Sequence, residues 1–231
     1  MFSAKRFSVL TITAIIAVST VIAQTNNDMT VEESYLQESI ELMIIREMTR
    51  TTTREQKLVA LEFIGDAIKR GSKNDEIRSS LEYLSKEGVR SVARENGRMM
   101  NNFPEIRRES AKYLGLLGTD EARKILLDIC TFENEPMVLQ EVIKSLGDIG
   151  SDDNDTLKVI SWVVSRFNNL VPDNLVALAT IDAFENIAKT NNGLNSPEAI
   201  RTLTILAEGH YIAPVKDRAK KLLSELRGYS G

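Results

Sequence analysis

A segment repeated between Pro104 and Gly150 constrains this 231-residue chain more than any other feature of its sequence. The stretches PEIRRESAKYLGLLG and PMVLQEVIKSLGDIG begin with proline, carry Leu-Gly at equal positions and end with glycine, at a constant offset of 32 residues. A further helical pattern, TDEARKILLDICTF, lies between them. Repeats of about 20–50 residues built from paired helices are typical of α-solenoids, in which neighbouring repeats bury each other's apolar faces. The sequence therefore predicts an all-α array.

The same rhythm extends over residues 31–228 and predicts about five antiparallel helical hairpins. Equivalent apolar positions are separated by 50, 32, 38 and 38 residues; they are Ile64, Leu114, Leu146, Phe184 and Leu222. The longest interval implies that roughly 12–18 extra residues lie around 85–101, compared with the other repeats. The third helix is predicted to start near Asn74 and to continue through Val89, Val92 and Met99, which makes this segment the main irregularity of the array.

Proline, glycine and acidic residues mark the predicted helix boundaries. All five prolines stand where a helix is expected to begin, a position that tolerates a missing N–H group. Gly118 and Gly150 are expected to end their helices in the left-handed conformation. Asp120, and Asp152 or Asp153, are expected to cap the helices that follow. In the first helix the buried face is predicted from apolar spacing; its members are Leu36, Ile40, Met43, Ile44 and Met48.

The N-terminus has the pattern of a cleavable secretory signal peptide, predicted over residues 1–23. Lys5 and Arg6 precede an uncharged, mostly apolar run from Val9 to Ile22, and Ala23 supplies a small residue for cleavage. A retained membrane anchor is the alternative, but the run of 14 residues is shorter than the roughly 18–20 that a spanning helix needs. Residues 24–30 are predicted to be a disordered linker.

The net charge and the cysteine content limit the kinds of partner and the cellular compartments that suit this chain. Cleavage after Ala23 leaves 27 basic and 33 acidic residues, a net charge of −6, which argues against bulk binding to nucleic acid. Cys130 is the single cysteine, so the chain forms no intramolecular disulfide. An exported helical protein without disulfides favours a bacterial periplasm first and an extracellular location second.

Over about residues 104–190 the chain resembles the HEAT-repeat family, especially its bacterial members. The resemblance rests on IRRESAKYLGLLGTDEARKILL and on VLQEVIKSLGDIGSDD. The fourth pair departs from the pattern, because Glu185-Asn186 stands where these two segments have glycine. It implies a right-handed superhelix whose concave surface is lined by the second helix of each pair. Proteins built in this way mostly bind other proteins. A minority, similar to phycobilin lyases, handle a chromophore.

The residues that usually carry catalysis or metal binding are scarce, and no catalytic, cofactor or metal residues are predicted. Cys130 and His210 are about 80 residues apart; the cysteine lies on an apolar helix face and the histidine in a turn. The acidic cluster Asp148–Asp155 lacks the glycine and the closing glutamate of a calcium-binding EF-hand loop, so helix capping is the simpler interpretation.

Two sets of polar residues are candidate partner-binding sites. Arg90, Arg94 and Arg98 follow four-residue steps and, on the predicted helix, form a basic ridge for an acidic partner or an anionic headgroup. The remaining candidates lie just beyond the ridge or on the predicted concave surface; they are Arg107, Arg108, Lys112, Gln140, Lys144 and Asp182. For both sets the alternative is an ordinary solvated surface paired with nearby acidic residues.

Three functions follow as hypotheses. The first is an exported, non-enzymatic scaffold that binds another protein in an assembly of the cell envelope. The second is a lyase-like handler of a ligand or chromophore, and the third is an adaptor at a membrane surface.

Overall fold

The computed structural model describes residues 30–229, and for Ser34, Asn169 and Leu170 it describes the backbone alone. The predicted signal peptide and the predicted linker up to residue 29 lie outside the described residues. The chain divides into two compact units at Ile40–Glu41. In the first unit, Thr30 and Glu33 form the capping box of a helix, with Thr30 N donating to Glu33 Oε2 over 2.9 Å and Glu33 N donating to Thr30 Oγ1 over 3.2 Å.

The described residues form ten helices and one two-stranded hairpin. The first three helices are α1 (Val31–Thr49), α2 (Arg54–Lys69) and α3 (Asp75–Lys86), and the strands β1 (Arg94–Glu95) and β2 (Arg98–Met99) follow. The remaining helices are α4 (Pro104–Leu117), α5 (Asp120–Phe132), α6 (Pro136–Ile149), α7 (Asn154–Leu170), α8 (Asn174–Asn191), α9 (Pro197–Glu208) and α10 (Ala213–Tyr229).

Within the second unit the helices stack in two layers, which confirms the predicted all-α solenoid. The first-helix layer runs from α3 to α5, α7 and α9, and each of these helices contacts the next one in the layer. The second-helix layer runs from α2 to α4, α6, α8 and α10, again with each helix in contact with the next. Between the layers lies one core of buried Leu, Ile, Val and Ala side chains. No pair buries this apolar surface alone, as expected of stacked repeats.

Glycines let successive helices of the second-helix layer approach closely, as predicted for Gly115 and Gly147. A Cβ atom at Gly147 would lie 2.5 Å from Ala183 Cα on α8, and one at Gly115 would lie 2.6 Å from Ser145 Cβ on α6. Gly65 on α2 faces the Tyr113 side chain of α4 in the same way. At Gly115 and Gly147 the second-helix layer is therefore packed too closely for a methyl group, whereas at Gly65 the contact is the far end of the Tyr113 side chain.

The structure confirms the helix ends in the central repeats and corrects one cap. Gly118 and Gly150 follow α4 and α6 with φ of 62° and 75°, the left-handed conformation that was predicted. Asp153 caps α7 by accepting from Thr156 N over 2.9 Å. Asp120 does not cap α5, however: Thr119 is the cap and accepts from Ala122 N over 3.2 Å. Threonine provides the same acceptor one residue earlier.

The predicted face of α1 is right only in part: Ile44 and Met48 are half-buried, and the other three residues are exposed. Leu36 and Met43 are 61% and 60% exposed, whereas Ile45 is fully buried. Helix α1 carries apolar residues on more than one side, so their spacing alone does not select the face that packs.

The prediction that the third helix continues through residues 87–99 is also wrong. Helix α3 ends at Lys86, and Gly88 has φ of 76°, which an α-helix does not allow. The chain then forms the β1–β2 hairpin, which pairs Arg94 with Met99 and Glu95 with Arg98. Asn96 and Gly97, both at positive φ, make the turn. We call residues 87–102 the insertion hairpin.

Candidate functional site

The structure places most of the predicted concave-surface residues on exposed parts of the second-helix layer. Lys112, Lys144 and Asp182 lie on the successive helices α4, α6 and α8, with side-chain exposures of 46%, 58% and 47%. Arg108 is exposed and Gln140 is half-buried, each one helical turn before its lysine. We call these five residues the second-helix surface.

Ion pairs order this surface. Lys112 Nζ lies 2.6 Å from Glu109 Oε1, Lys144 Nζ lies 3.9 Å from Glu141 Oε1, and Asp182 pairs with Arg218 of α10. The hydrogen bond that Lys112 donates to Glu109 raises the pKa of Lys112, and Glu141 on the neighbouring helix adds a smaller contribution of the same sign. Exposed pairs of this kind contribute little to stability, about 0–1 kcal/mol each.

Arg107 does not belong to any surface, which corrects its prediction as a partner-binding residue. Its side chain is only 3% exposed, and its Nε lies 2.7 Å from Glu133 Oε2, itself 2% exposed. Arg107 Nη1 also donates to Asn102 Oδ1 over 2.9 Å and to the carbonyl oxygen of Glu87 over 3.3 Å. The side chain therefore joins the start of α4, the end of α5 and both ends of the insertion hairpin.

A second buried ion pair lies on the other side of the same segment. Lys57 Nζ, on a fully buried side chain of α2, lies 2.8 Å from Glu87 Oε2 and donates to the carbonyl oxygen of Thr49 over 3.1 Å. We call Lys57, Glu87, Arg107 and Glu133 the buried ion-pair network. Arg107 and Glu133 are both paired and hydrogen-bonded, as buried charges in proteins need to be, whereas Glu87 Oε2 is close to Lys57 without a hydrogen bond. The network connects the base of the insertion hairpin to α2, α4 and the end of α5.

The three arginines of the predicted ridge are not on one helix. Arg90 is tied to the first-helix layer, with Nη2 3.0 Å from Asp128 Oδ1 and its guanidinium 4.7 Å from the centre of the Phe132 ring. Arg94 and Arg98 lie on opposite strands of the insertion hairpin, and all residues from 91 to 100 are exposed. Within the part of the chain that the structure describes, no carboxylate forms an ion pair with Arg94 or Arg98. The segment is still basic, but its geometry is that of a hairpin.

Asn96-Gly97 is the signal that sequence reasoning missed here. This dipeptide favours a two-residue hairpin turn, because both of its positions accept positive φ. The buried ion-pair network had no comparable signal, since its partners are far apart in sequence and their charges resemble those of any exposed helix face.

Cys130 and His210 lie where the sequence predicts. Cys130 is fully buried, and burial raises the pKa of its thiol to about 12. His210 is exposed in the turn after α9. The thiolate is the reactive form of cysteine, so Cys130 is shielded both by its surroundings and by its protonation.

We expect Cys130 to resist a thiol reagent in the folded protein and to react fully once the chain unfolds. The measurement is the absorbance released from Ellman's reagent at pH 8, with and without urea. Rapid reaction of the native protein would contradict the buried position.

Neither a metal site nor a membrane-spanning helix is found in residues 30–229. No three His, Cys, Asp or Glu side chains in this range are grouped as a metal site requires. None of the helices in the same range combines the length and the apolar character needed to cross a bilayer.

Comparison with known proteins identifies the repeats. The family model described as HEAT repeats matches residues 98–161, which span β2, α4, α5, α6 and part of α7. Residues 98–161 are therefore similar to HEAT repeats. The predicted family resemblance is thereby confirmed, and the matched HEAT segment includes the glycine-ended helices on which it rested.

Two further comparisons add no functional information to the HEAT assignment. No curated protein matches the chain. Among solved structures, a de novo designed 16-helix transmembrane nanopore aligns with 15% sequence identity over 85% of this chain and 62% of its own, with a TM-score of 0.18. A similarity at that score has no bearing on the fold or the function of this chain.

Proposed function

We propose that this protein is an exported, non-enzymatic scaffold that binds another protein through the second-helix surface. The observation that carries the proposal is the glycine-packed second-helix layer, which sets Lys112, Lys144 and Asp182 at equivalent positions on successive helices. A preformed surface of this kind loses little conformational entropy when it binds a partner, since its backbone is already fixed. HEAT repeats at residues 98–161 support the same interpretation.

The binding surface is testable by site-specific photocrosslinking in the native cells. A photoreactive residue at Lys144, on the second-helix layer, is expected to yield a discrete protein adduct. The matched control is Lys124 on α5, whose side chain is 66% exposed but belongs to the first-helix layer. Equal adducts from both positions, or none from Lys144, would refute the proposed surface.

The export part of the proposal rests on the N-terminal sequence alone. Lys5 and Arg6, the apolar run Val9–Ile22 and Ala23 support cleavage that leaves Gln24 as the first mature residue. We propose an envelope assembly in a bacterial periplasm as the setting.

Intact mass spectrometry of the protein isolated from its native source tests the export step. The expected mass is that of residues 24–231. A protein that retains residues 1–23 would overturn cleavage and would favour the membrane-surface adaptor.

The lyase-like alternative finds no support at the one cysteine. Such an enzyme would need a titratable group beside an apolar cleft, whereas Cys130 is enclosed by core side chains and its thiol has a raised pKa. The scaffold is therefore the function that we propose.

A further inference from the structure

The insertion hairpin combines a rigid base with a fully exposed end. At the base, Asn101 Nδ2 donates to the carbonyl oxygen of Ser91 over 2.6 Å, and Ala93 N donates to Asn101 Oδ1 over 2.8 Å. A side chain at Gly88 would collide with the backbone of Asn101, so the two ends of the segment are in direct contact. The buried ion-pair network fixes this base to α2 and α4. The exposed end is thus held in place although its residues from 91 to 100 bury little surface.

The exposed end has an unusual composition for a segment with no packing role. It carries Arg94 and Arg98 against a single acidic residue, Glu95, and adds three apolar side chains with exposures of 40–49%, which are Val92, Met99 and Met100. Arg94 stands directly opposite Met99 across the strands. Arginine and methionine are enriched in the buried centres of protein interfaces, and methionine adapts its shape to the surface that it meets.

Resting on the proposed scaffold function, we propose that the insertion hairpin is a second docking element, which binds an acidic, partly apolar segment of a partner protein. Charge complementarity selects the acidic partner, since neither Arg94 nor Arg98 has a carboxylate partner within residues 30–229. Arginine pairs with carboxylates through a planar, two-pronged contact. The exposed apolar side chains beside the arginines then require apolar groups in the same partner segment.

The arrangement of charges favours a protein over an anionic membrane. The turn at Asn96–Gly97 is the end of the hairpin, and the cross-strand pair Glu95 and Arg98 flanks it, so the end carries one charge of each sign and no apolar side chain. Val92, Met99 and Met100 lie nearer the base than the turn does. A hairpin that inserts into lipid needs its apolar residues at the end instead.

The test uses a labelled peptide of alternating glutamate and leucine as a probe, and follows its binding by fluorescence anisotropy. The double variant Arg94→Glu/Arg98→Glu is expected to weaken binding by about tenfold or more, because two attractions become repulsions. The control, Arg201→Glu/Lys220→Glu, makes the same change in net charge at two exposed sites on α9 and α10, and is expected to bind like the native protein. Met99→Ser/Met100→Ser is expected to weaken binding while leaving its dependence on salt unchanged.

Several outcomes would overturn the proposal. Absence of peptide binding by the native protein, or equal losses in the hairpin and control variants, would show that the hairpin recognises no acidic segment. Binding to vesicles of phosphatidylcholine and phosphatidylglycerol with none to the peptide would assign the hairpin to a membrane instead. If Lys144 crosslinks to a partner as before in the hairpin variants and the peptide result is negative, the scaffold function stands and the hairpin proposal alone fails.

Discussion

Replacement of Arg107 by alanine is expected to lower the free energy of unfolding by about 3–5 kcal/mol, because Glu133 would remain buried without its cation. Glu133 is 2% exposed and lies 2.7 Å from Arg107 Nε. Whole domains are stable by only about 5–15 kcal/mol, so the loss is a large share of the total. Urea unfolding followed by circular dichroism measures it.

The neighbouring residue provides a matched control. Arg108 is exposed and has no ion pair among the described residues, so Arg108→Ala is expected to change the free energy of unfolding by no more than about 0.5 kcal/mol. The double variant Arg107→Met/Glu133→Gln should lose less than Arg107→Met alone, since no charge is then left unpaired. Equal losses for Arg107→Ala and Arg108→Ala would show that the buried ion pair does not contribute to stability.

The same substitution is expected to loosen the insertion hairpin. Arg107 donates to the carbonyl oxygen of Glu87 and to Asn102 Oδ1, which lie at the two ends of that segment. Limited proteolysis with trypsin, which cuts after Arg90, Arg94 and Arg98, is expected to be faster in Arg107→Ala than in Arg108→Ala.

Gly147→Ala is expected to destabilise the protein by about 1–3 kcal/mol, the usual cost of overpacking a filled core. The added Cβ would lie 2.5 Å from Ala183 Cα, so α6 and α8 would have to move apart. Thermal unfolding by calorimetry measures the change.

Gly228→Ala is the control for the intrinsic helix preference of alanine. Gly228 lies in α10, and a Cβ there meets nothing within 4 Å. Alanine is preferred over glycine in helices by up to about 1 kcal/mol, so this variant is expected to be neutral or stabilised. A stabilised Gly147→Ala would contradict close packing of the second-helix layer.

The central repeats were predictable because local and long-range signals agree there. The helical pattern TDEARKILLDICTF corresponds in the structure to Thr119 as the cap and to helix α5, Asp120–Phe132. Pro104 and Pro136 each occupy the first position of their helix, and Gly118 and Gly150 follow the last. Proline and glycine mark the two ends of each helix for separate chemical reasons, and the apolar period predicts the helix between those ends.

Other predictions failed where one signal was used alone. Val89, Val92 and Met99 fit a helical period by chance. Gly88, whose positive φ is incompatible with an α-helix, is the residue that indicates the end of α3. The period likewise selected Leu36 and Met43 as buried residues of α1, although Ile45 is the one that packs. The prediction of Arg107 as a surface residue is wrong because nothing in a sequence distinguishes a charge paired with a residue 26 positions away from a solvated one.

The three glycine contacts of the second-helix layer also fix the order of the repeats. Gly65 meets a tyrosine, Gly115 a serine and Gly147 an alanine, so each of these three junctions of the layer has a different neighbour. Consequently a repeat cannot be deleted, duplicated or exchanged without creating either a void or a collision at the new junction. Simple duplication of a unit at one of these three junctions would therefore be disfavoured by the packing on either side of it.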